Sequence, residues 1–210
     1  MPTRIKVCGI TRLEDALLAA ELGVDALGFN FYHPSPRCIA PAAARAIIKR
    51  LPPFETAVGV YADETEIDRV TAVADEAGVG AIQLHGPRFP DLAERPAGYP
   101  LIRAVAVGEG FRAESLADFQ ASAFLLDAFH PKLSGGTGRS FDWELAREAN
   151  NYGTIILAGG LNPGNVGHAI REVRPYAVDV ASGVESAPGK KDPDLLRAFF
   201  DAVQEADRNL

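Results

Sequence analysis

The sequence predicts an α/β protein folded as a single-domain (β/α)8 TIM barrel, and three observations support this fold class. Short β-rich runs alternate with longer runs of helical periodicity along all 210 residues. Eight such pairs give roughly 26 residues per pair, which is close to the minimum for a βα unit. No G-x-G-x-x-G turn follows the first strand, which argues against an open, doubly wound sheet. We therefore expect residues 1–210 to form one barrel domain.

The eight strands are predicted from apolar runs bounded by glycine, proline or polar residues. In chain order they are RIKVCG, DALGFNF, TAVGVYA, AIQLHG, PLIRAVAV, AFLLDA, TIILAGG and AVDVASG. A helical run follows each strand, so all of the strands are expected to run parallel. Eight parallel strands covered by helices are expected to close into a barrel.

The helical runs are rich in alanine, leucine and glutamate, with apolar residues at helical spacing. In chain order they are TRLEDALLAAELG, APAAARAIIKRL, ETEIDRVTAVADEAG, FPDLAERP, RAESLADFQ, DWELAREANNY, PGNVGHAIREV and DPDLLRAFFDAVQEA. The segment FPDLAERP is short and has the weakest periodicity. We expect these helices to form the outer layer of the barrel.

Composition restricts the function and the compartment. Hydrophobic residues make up 47% of the chain and charged residues 23%, as in soluble globular proteins, and the net charge of −7 argues against nucleic acid as a partner. No charged leader precedes an apolar run near Met1, and no apolar run reaches about 18 residues, so we expect neither a secretory signal nor a membrane segment. Cys8 and Cys38, the two cysteines, are expected to be unpaired thiols in the cytoplasm.

Active sites of such barrels lie at the carboxyl ends of the strands and in the loops that follow them. The predicted strands place a set of polar side chains and glycines at this end of the barrel. They are Cys8, Gly9, Asn30, Tyr61, Asp63, Gln83, His85, Arg103, Asp127, Gly159, Gly160, Ser182 and Gly183.

Two loops predict a phosphate site. Gly159 and Gly160 follow the seventh strand, and Ser182 and Gly183 follow the eighth. Glycines let backbone N–H groups approach an anion, and the LNPGN segment is typical of a helix start whose dipole favours negative charge. Any one of these glycines could simply form a tight turn. Their occurrence after both strands favours phosphate binding, which many barrel enzymes achieve between these loops.

Cys8 and Asp127 end the first and sixth strands, so a closed barrel places them on opposite sides of its mouth. A thiol and a carboxyl group in this arrangement suit acid–base chemistry, with each group handling one proton. Asp127 needs a raised pKa to act as the acid. Cys8 could instead be a small core residue, and Asp127 could cap a turn or pair with Lys132.

The loop FYHPSPRC presents Arg37 after a stretch that two prolines stiffen. A guanidinium held in this way suits fork-like recognition of a carboxylate, although an exposed surface arginine is the alternative. The glycine-rich segment KLSGGTGRSFDW is expected to be a mobile loop that closes over substrate. The four histidines and two cysteines lack metal-ligand spacing, so no metal site is expected.

The motifs KVCGIT, SPR, QLHG, LLDA, GGTG with FDW, AGGL and SGVES occur in this order. Together they closely resemble the phosphoribosylanthranilate isomerase family of tryptophan biosynthesis, from Lys6 to about Asp192. The resemblance implies an Amadori rearrangement of N-(5-phosphoribosyl)anthranilate to 1-(2-carboxyphenylamino)-1-deoxyribulose 5-phosphate, without a cofactor. It also implies that a small phosphosugar is the substrate.

The resemblance also implies roles for the matching residues. Cys8 corresponds to the general base and Asp127 to the general acid, and Arg37 corresponds to the arginine that holds the anthranilate carboxylate. The phosphate-binding residues that it implies are Gly159, Gly160, Ser182 and Gly183.

Other functions stay open on the residues alone. The aminoaldose isomerase of histidine biosynthesis would have an aspartate at the position of Cys8. A metal-assisted pentose-phosphate epimerase would need a His/Asp ligand set, and a non-catalytic phosphate sensor would not need both Cys8 and Asp127. The sequence does not decide between a monomer and a homodimer.

Overall fold

Eight parallel strands form a closed barrel, and their order around the barrel is their order in the chain. The computed structural model describes residues 1–63, 66–86, 96–108, 110–127 and 143–210. The barrel strands are β1 (Arg4–Cys8), β2 (Ala26–Asn30), β3 (Thr56–Ala62), β4 (Ala81–His85), β5 (Leu101–Ala106), β6 (Ala123–Asp127), β7 (Ile155–Ala158) and β8 (Ala177–Val180). Each strand lies within its predicted segment, so the predicted (β/α)8 barrel is confirmed.

Pairing of β1 with β8 closes the barrel and sets Lys6 opposite Asp179. Because side chains alternate between the two faces of a strand, Lys6 and Cys8 point into the barrel while Val7 points outward. Val7 is fully buried in the apolar layer between strands and helices. A smaller apolar cluster that includes Val58 and Ile102 fills the inside of the barrel. The charged interior residues of β1 and β8 are thus surrounded by apolar walls.

The helices are α1 (Leu13–Glu21), α2 (Pro41–Ile48), α3 (Ile67–Ala77), α4 (Trp143–Ala149), α5 (Val166–Val173) and α6 (Pro193–Arg208). The segment RAESLADFQ was predicted to be an α-helix, and this is wrong, because Ala113–Asp118 forms a 3₁₀ helix. The Ser115 hydroxyl donates to the carbonyl of Arg112 at 2.7 Å, a local bond that competes with α-helical pairing in a short segment. All of FPDLAERP except Pro96 lies outside the described residues.

A short antiparallel hairpin follows β8 and was not predicted. The 3₁₀ helix Ser182–Val184 leads into β9 (Glu185–Ala187), which pairs with β10 (Lys190–Lys191). The chain then enters α6, whose N-cap residue Asp192 accepts hydrogen bonds from two backbone N–H groups. The hairpin returns Lys191 to the barrel, where it is buried.

The barrel has a cavity at each end, of about 460 Å³ at the carboxyl ends of the strands and about 490 Å³ at the amino ends. Phe54 borders the amino-end cavity, and 94% of its surface is exposed. Within the described ranges, the helices are too short or too polar to cross a membrane.

Candidate active site

The cavity at the carboxyl ends of the strands brings together six of the seven predicted site residues. They are Cys8, Arg37, Asp127, Gly159, Gly160 and Ser182. Asn30, Gln83 and His85, which the predicted strand ends also placed here, line the same cavity. Residues from both halves of the chain therefore meet at one site.

Two residues at the predicted strand ends point elsewhere. The Tyr61 ring packs against the ring of Phe31, with 5.3 Å between their centroids, in the layer outside the strands. The Arg103 guanidinium lies 3.8 Å from the ring centroid of Phe119. Strand alternation explains both cases, because the neighbours Val60 and Ile102 are the ones that face the barrel interior.

The loop after β7 has the backbone conformation that its glycines suggest. Gly159 and Gly160 have φ angles of 90° and 67°, in the left-handed region that favours glycine. The side-chain amide of Asn165 donates to the carbonyl of Gly160 at 3.0 Å, and its oxygen accepts from the Asn162 N–H at 2.8 Å. These bonds form a turn, so α5 begins at Val166 and not at the predicted start.

Gly183 lies beside Ser182 but does not border the cavity. A Cβ atom at this position would lie 1.9 Å from the carbonyl oxygen of Leu161 in the loop after β7. Only glycine permits this contact, which holds the two predicted phosphate loops against each other.

Cys8 lies at the end of β1 beside a buried ion pair that sequence reasoning missed. The ammonium of Lys6 lies 2.8 Å from a carboxylate oxygen of Asp179, and their side chains are 3% and 10% exposed. Burial raises the pKa of the Cys8 thiol, Asp179 raises it further, and Lys6 and Lys191 oppose both effects, leaving the pKa above its ordinary value. The period of two, which puts Lys6 and Cys8 on one strand face, is the sequence signal for this contact.

Asp127 lies at the end of β6 beside His85 at the end of β4. The His85 Nε2 and Asp127 Oδ2 atoms are 3.5 Å apart. The hydrogen bond to Asp127 raises the pKa of His85, against the smaller opposing effect of its burial. A proton is therefore held next to the Asp127 carboxyl group up to a higher pH than an isolated histidine would hold it. The alternative partner of Asp127, Lys132, lies outside the described residues.

The loop after β2 is braced by its own side chains. The Asn30 side-chain oxygen accepts from the Tyr32 N–H at 2.8 Å, and the Ser35 hydroxyl accepts from the Arg37 N–H at 3.2 Å. The Arg37 guanidinium reaches across to Glu185 in β9, with 2.9 Å between Nε and Oε1 and 2.6 Å between Nη2 and Oε2. Arg37 is thus partly buried in an ion pair, and it is not a freely exposed surface arginine.

Lys191 completes the polar network around Glu185. Its ammonium donates to Glu185 Oε1 at 2.9 Å, to the Cys8 carbonyl at 2.6 Å and to the Ala181 carbonyl at 3.2 Å. Its backbone N–H donates to Asp15 at 2.9 Å. Sequence reasoning missed both Glu185 and Lys191, although the Pro188-Gly189 pair between them is a sequence signal for a turn.

No three His, Cys, Asp or Glu side chains of the described ranges cluster in a way that could hold a metal ion. The predicted mobile loop KLSGGTGRSFDW lies outside those ranges, except for Trp143.

A closed parallel barrel with a thiol, a carboxyl group and glycine-containing loops around one cavity at its carboxyl end is typical of the class of (β/α)8-barrel enzymes. The family model "N-(5'phosphoribosyl)anthranilate (PRA) isomerase" matches residues 5–202, and the chain belongs to this family. The predictions of the family and of the reaction class are confirmed by this match and by the named relatives.

Similar proteins cover nearly the full length of the chain. The N-(5'-phosphoribosyl)anthranilate isomerase of Trichlorobacter lovleyi is 50% identical over 204 residues, covering 97% of this chain and 98% of the relative. That of Citrifermentans bemidjiense is 51% identical over 201 residues, covering 94% and 95%.

Two crystal structures of phosphoribosyl anthranilate isomerases are also similar. The Thermotoga maritima structure has a TM-score of 0.87 and 43% identity, covering 97% of this chain and 99% of that one. A second structure, in complex with reduced 1-(o-carboxyphenylamino)-1-deoxyribulose 5-phosphate, has a TM-score of 0.85 and 41% identity with the same coverage.

Proposed function

We propose that this chain catalyses the Amadori rearrangement of N-(5-phosphoribosyl)anthranilate to 1-(2-carboxyphenylamino)-1-deoxyribulose 5-phosphate in tryptophan biosynthesis. This is an intramolecular aldose–ketose isomerisation. The family match supports the proposal, as does a relative solved with the reduced form of the product. In the chain itself, the observation that carries it is that the Cys8 thiol and the Asp127 carboxyl group line one cavity.

In the first step, Asp127 donates a proton to the furanose ring oxygen. The bond from this oxygen to C1′ breaks, and the lone pair of the anthranilate nitrogen forms a C=N bond to C1′. The result is an open-chain Schiff base. His85, in contact with Asp127, can supply this proton: the histidinium passes it to the Asp127 carboxylate as that group protonates the ring oxygen.

In the second step, the Cys8 thiolate takes the proton from C2′. The electron pair of this C–H bond moves toward the Schiff-base nitrogen and gives an enolamine, which tautomerises to the ketone. The anthranilate nitrogen is the electron sink, so the reaction needs no cofactor. Lys6 and Lys191 favour the thiolate form of Cys8.

The two ends of the substrate are anions, and the cavity has a binding group for each. Arg37 binds the anthranilate carboxylate through its guanidinium. The 5′-phosphate binds at the loops after β7 and β8, where α5 begins. The residues assigned to the phosphate are Gly159, Gly160 and Ser182, which line the cavity, and Gly183, which lies behind Ser182 against the loop after β7. Binding both ends orients C1′ and C2′ between Asp127 and Cys8.

The partner that we propose is this phosphosugar, with neither nucleic acid nor a membrane involved, and the proposed compartment is the cytoplasm. The two free cysteines and the biosynthetic activity of the named relatives support this compartment. One solved structure, 37% identical, is described as monomers of the dimeric enzyme from Thermotoga maritima. Sedimentation velocity of the purified chain will decide between a monomer and a homodimer.

The test is the loss of anthranilate fluorescence when the purified protein meets enzymatically generated N-(5-phosphoribosyl)anthranilate. We expect rapid conversion that Cys8→Ala abolishes and that Cys38→Ser, the matched cysteine control, leaves unchanged. Full activity of Cys8→Ala would remove the base assignment. No conversion by a folded wild-type protein would favour the histidine-pathway aminoaldose as substrate, and that compound is the next to be assayed.

A further inference from the structure

We propose that Glu185 and Lys191 are positioning residues that aim Arg37 at the substrate carboxylate and set the charge of this end of the cavity. The proposal rests on the proposed role of Arg37 in binding this carboxylate. The Arg37–Glu185 bond joins residues 148 positions apart, and Lys191 binds the carbonyl of Cys8 across 183 positions. These contacts link Arg37, the proposed carboxylate-binding residue, to the end of β1 that carries Cys8, the proposed base.

Glu185 determines which edge of the guanidinium is available. Its two oxygens accept from Nε and Nη2 of Arg37, so they occupy one edge of the planar group. In the part of the chain that the structure describes, no hydrogen bond engages Nη1. The opposite edge, formed by Nη1 and the second hydrogen of Nη2, therefore remains for a carboxylate, which binds such an edge through two parallel hydrogen bonds.

Lys191 determines the net charge of the network. A glutamate bound to Arg37 would by itself cancel the attraction of Arg37 for a second carboxylate. The Lys191 side chain is 1% exposed, and its ammonium donates to three acceptors, which only the protonated form with three N–H groups can do. With Glu185 ionised, the three side chains together carry one positive charge, which the carboxylate of the substrate neutralises.

Lys191 also links the carboxylate-binding residue, Arg37, to the proposed base, Cys8. The same ammonium holds the carbonyl of Cys8, at the end of β1, and the carbonyl of Ala181, after β8. Glu185, which aims Arg37, is therefore fixed relative to the strand that carries the thiol. A long and flexible arginine side chain would not fix this separation by itself.

The experiment compares two ligands that differ only in the carboxylate. One is reduced 1-(o-carboxyphenylamino)-1-deoxyribulose 5-phosphate, and the other is its counterpart made from aniline. Calorimetry gives both dissociation constants for the wild type, Lys191→Met, Glu185→Asp and Arg37→Ala. Lys190→Met is the matched control, because Lys190 is the exposed neighbour of the buried lysine.

We expect the wild type to prefer the ligand with the carboxylate. Lys191→Met should reduce this preference roughly tenfold, with little change in the dissociation constant of the aniline ligand. Glu185→Asp keeps the charge but withdraws the carboxylate from Arg37, so it should also reduce the preference and raise KM more than it lowers kcat. Lys190→Met should match the wild type. In the Arg37→Ala background, Lys191→Met should have a smaller effect on the preference, because no guanidinium remains to be aimed and only the change in net charge is left.

If Lys191→Met only damaged the structure in general, it would weaken the binding of both ligands equally. This result would overturn the proposal. If Lys191→Met does not fold, Glu185→Asp decides, and a wild-type preference in that variant would overturn the proposal too. An unchanged preference in Arg37→Ala would instead show that the proposed carboxylate role of Arg37 is wrong, and the positioning role would fall with it.

Discussion

The Cys8 thiol illustrates how a single residue meets two opposing demands. Burial beside Asp179 raises its pKa, while the proposed reaction needs its thiolate. The acid partner must be protonated at the same time, and His85 holds a proton next to Asp127. When the base has the higher pKa of the two, only a minority of molecules carries both active forms, and this minority sets the plateau of kcat/KM.

Lys6→Met should lower that plateau. Lys6 lowers the pKa of Cys8, so its removal raises this pKa further, and a rise of one pKa unit reduces the thiolate fraction about tenfold. The measurement is a titration of thiolate absorbance in a Cys38→Ser background, where Cys8 is the remaining thiol. Asp179→Asn is the opposite control and should lower the pKa of Cys8. An unchanged titration in Lys6→Met would contradict the electrostatic role of Lys6.

His85→Gln should reduce activity at neutral pH. The raised pKa of His85 means that the pair keeps its proton to higher pH, whereas a carboxyl group alone ordinarily loses it near pH ~3.9. We expect the lower break in the kcat/KM profile to move to lower pH and the plateau to fall roughly tenfold or more. His168→Gln, on α5, is the matched control. A profile identical to that of the wild type would show that His85 does not share the proton of the acid.

At the scale of elements, the two loops after β7 and β8 act as one unit because they touch at Gly183. The turn after Gly160 and the start of α5 give one side of the proposed phosphate site, and the 3₁₀ helix after β8 gives the other. Displacement of either loop should therefore weaken binding of the phosphate end of the substrate without altering the acid or the base.

Gly183→Ala should raise KM roughly tenfold and change kcat less. The added Cβ would lie 1.9 Å from the Leu161 carbonyl oxygen, so the two loops must separate. Gly108→Ala is the control, because a Cβ there meets nothing within 4 Å. Inhibition by inorganic phosphate measures the same site without the sugar and should weaken in parallel. Unchanged inhibition in Gly183→Ala would mean that phosphate binds elsewhere.

Element prediction from the sequence worked best where the pattern is local. All eight strands were predicted, because each is a short apolar run with clear punctuation. The 3₁₀ helix at Ala113–Asp118 was predicted as α because periodicity does not distinguish the two helix types in six residues.

Prediction of the site was limited by contacts between distant residues. Cys8, Asp127 and the glycine loops were found because the barrel itself places strand ends together. Glu185 and Lys191 were missed because their partners lie 148 and 183 positions away, and a two-residue strand such as β10 has no recognisable period. Arg37 was found as a loop residue, but its fixed direction depends on that hairpin.

At the scale of the whole molecule, the proposed active site lies at one end of the barrel, and the packed interior separates it from the other end. The proposed acid and base, Arg37 and three of the four proposed phosphate-binding residues line the carboxyl-end cavity, while Phe54 borders the amino-end cavity. The apolar interior between the two cavities is close-packed around residues such as Ile102 and Ile156. Substitutions at the amino end should therefore act on solubility or association and leave the reaction unchanged.

Phe54→Ser should keep kcat/KM within about twofold of the wild type, because the side chain is 94% exposed and far along the barrel from the site. The same fluorescence assay, run beside sedimentation velocity, measures both activity and oligomeric state. A loss of activity much larger than this would mean that the two ends of the barrel are coupled.

The closure of the barrel also bears on how the protein is made. Lys6 pairs with Asp179, which lies 173 positions later in the chain, and Thr3 forms hydrogen bonds with Asp207, which lies 204 positions later. During translation, Lys6 and Cys8 are thus synthesised early, and Asp179 and Lys191 almost last. A nascent chain therefore has no assembled active site until its final segment leaves the ribosome. A chain that stops before β8 leaves β1 and β7 without this partner strand, so it exposes strand edges in place of a closed barrel.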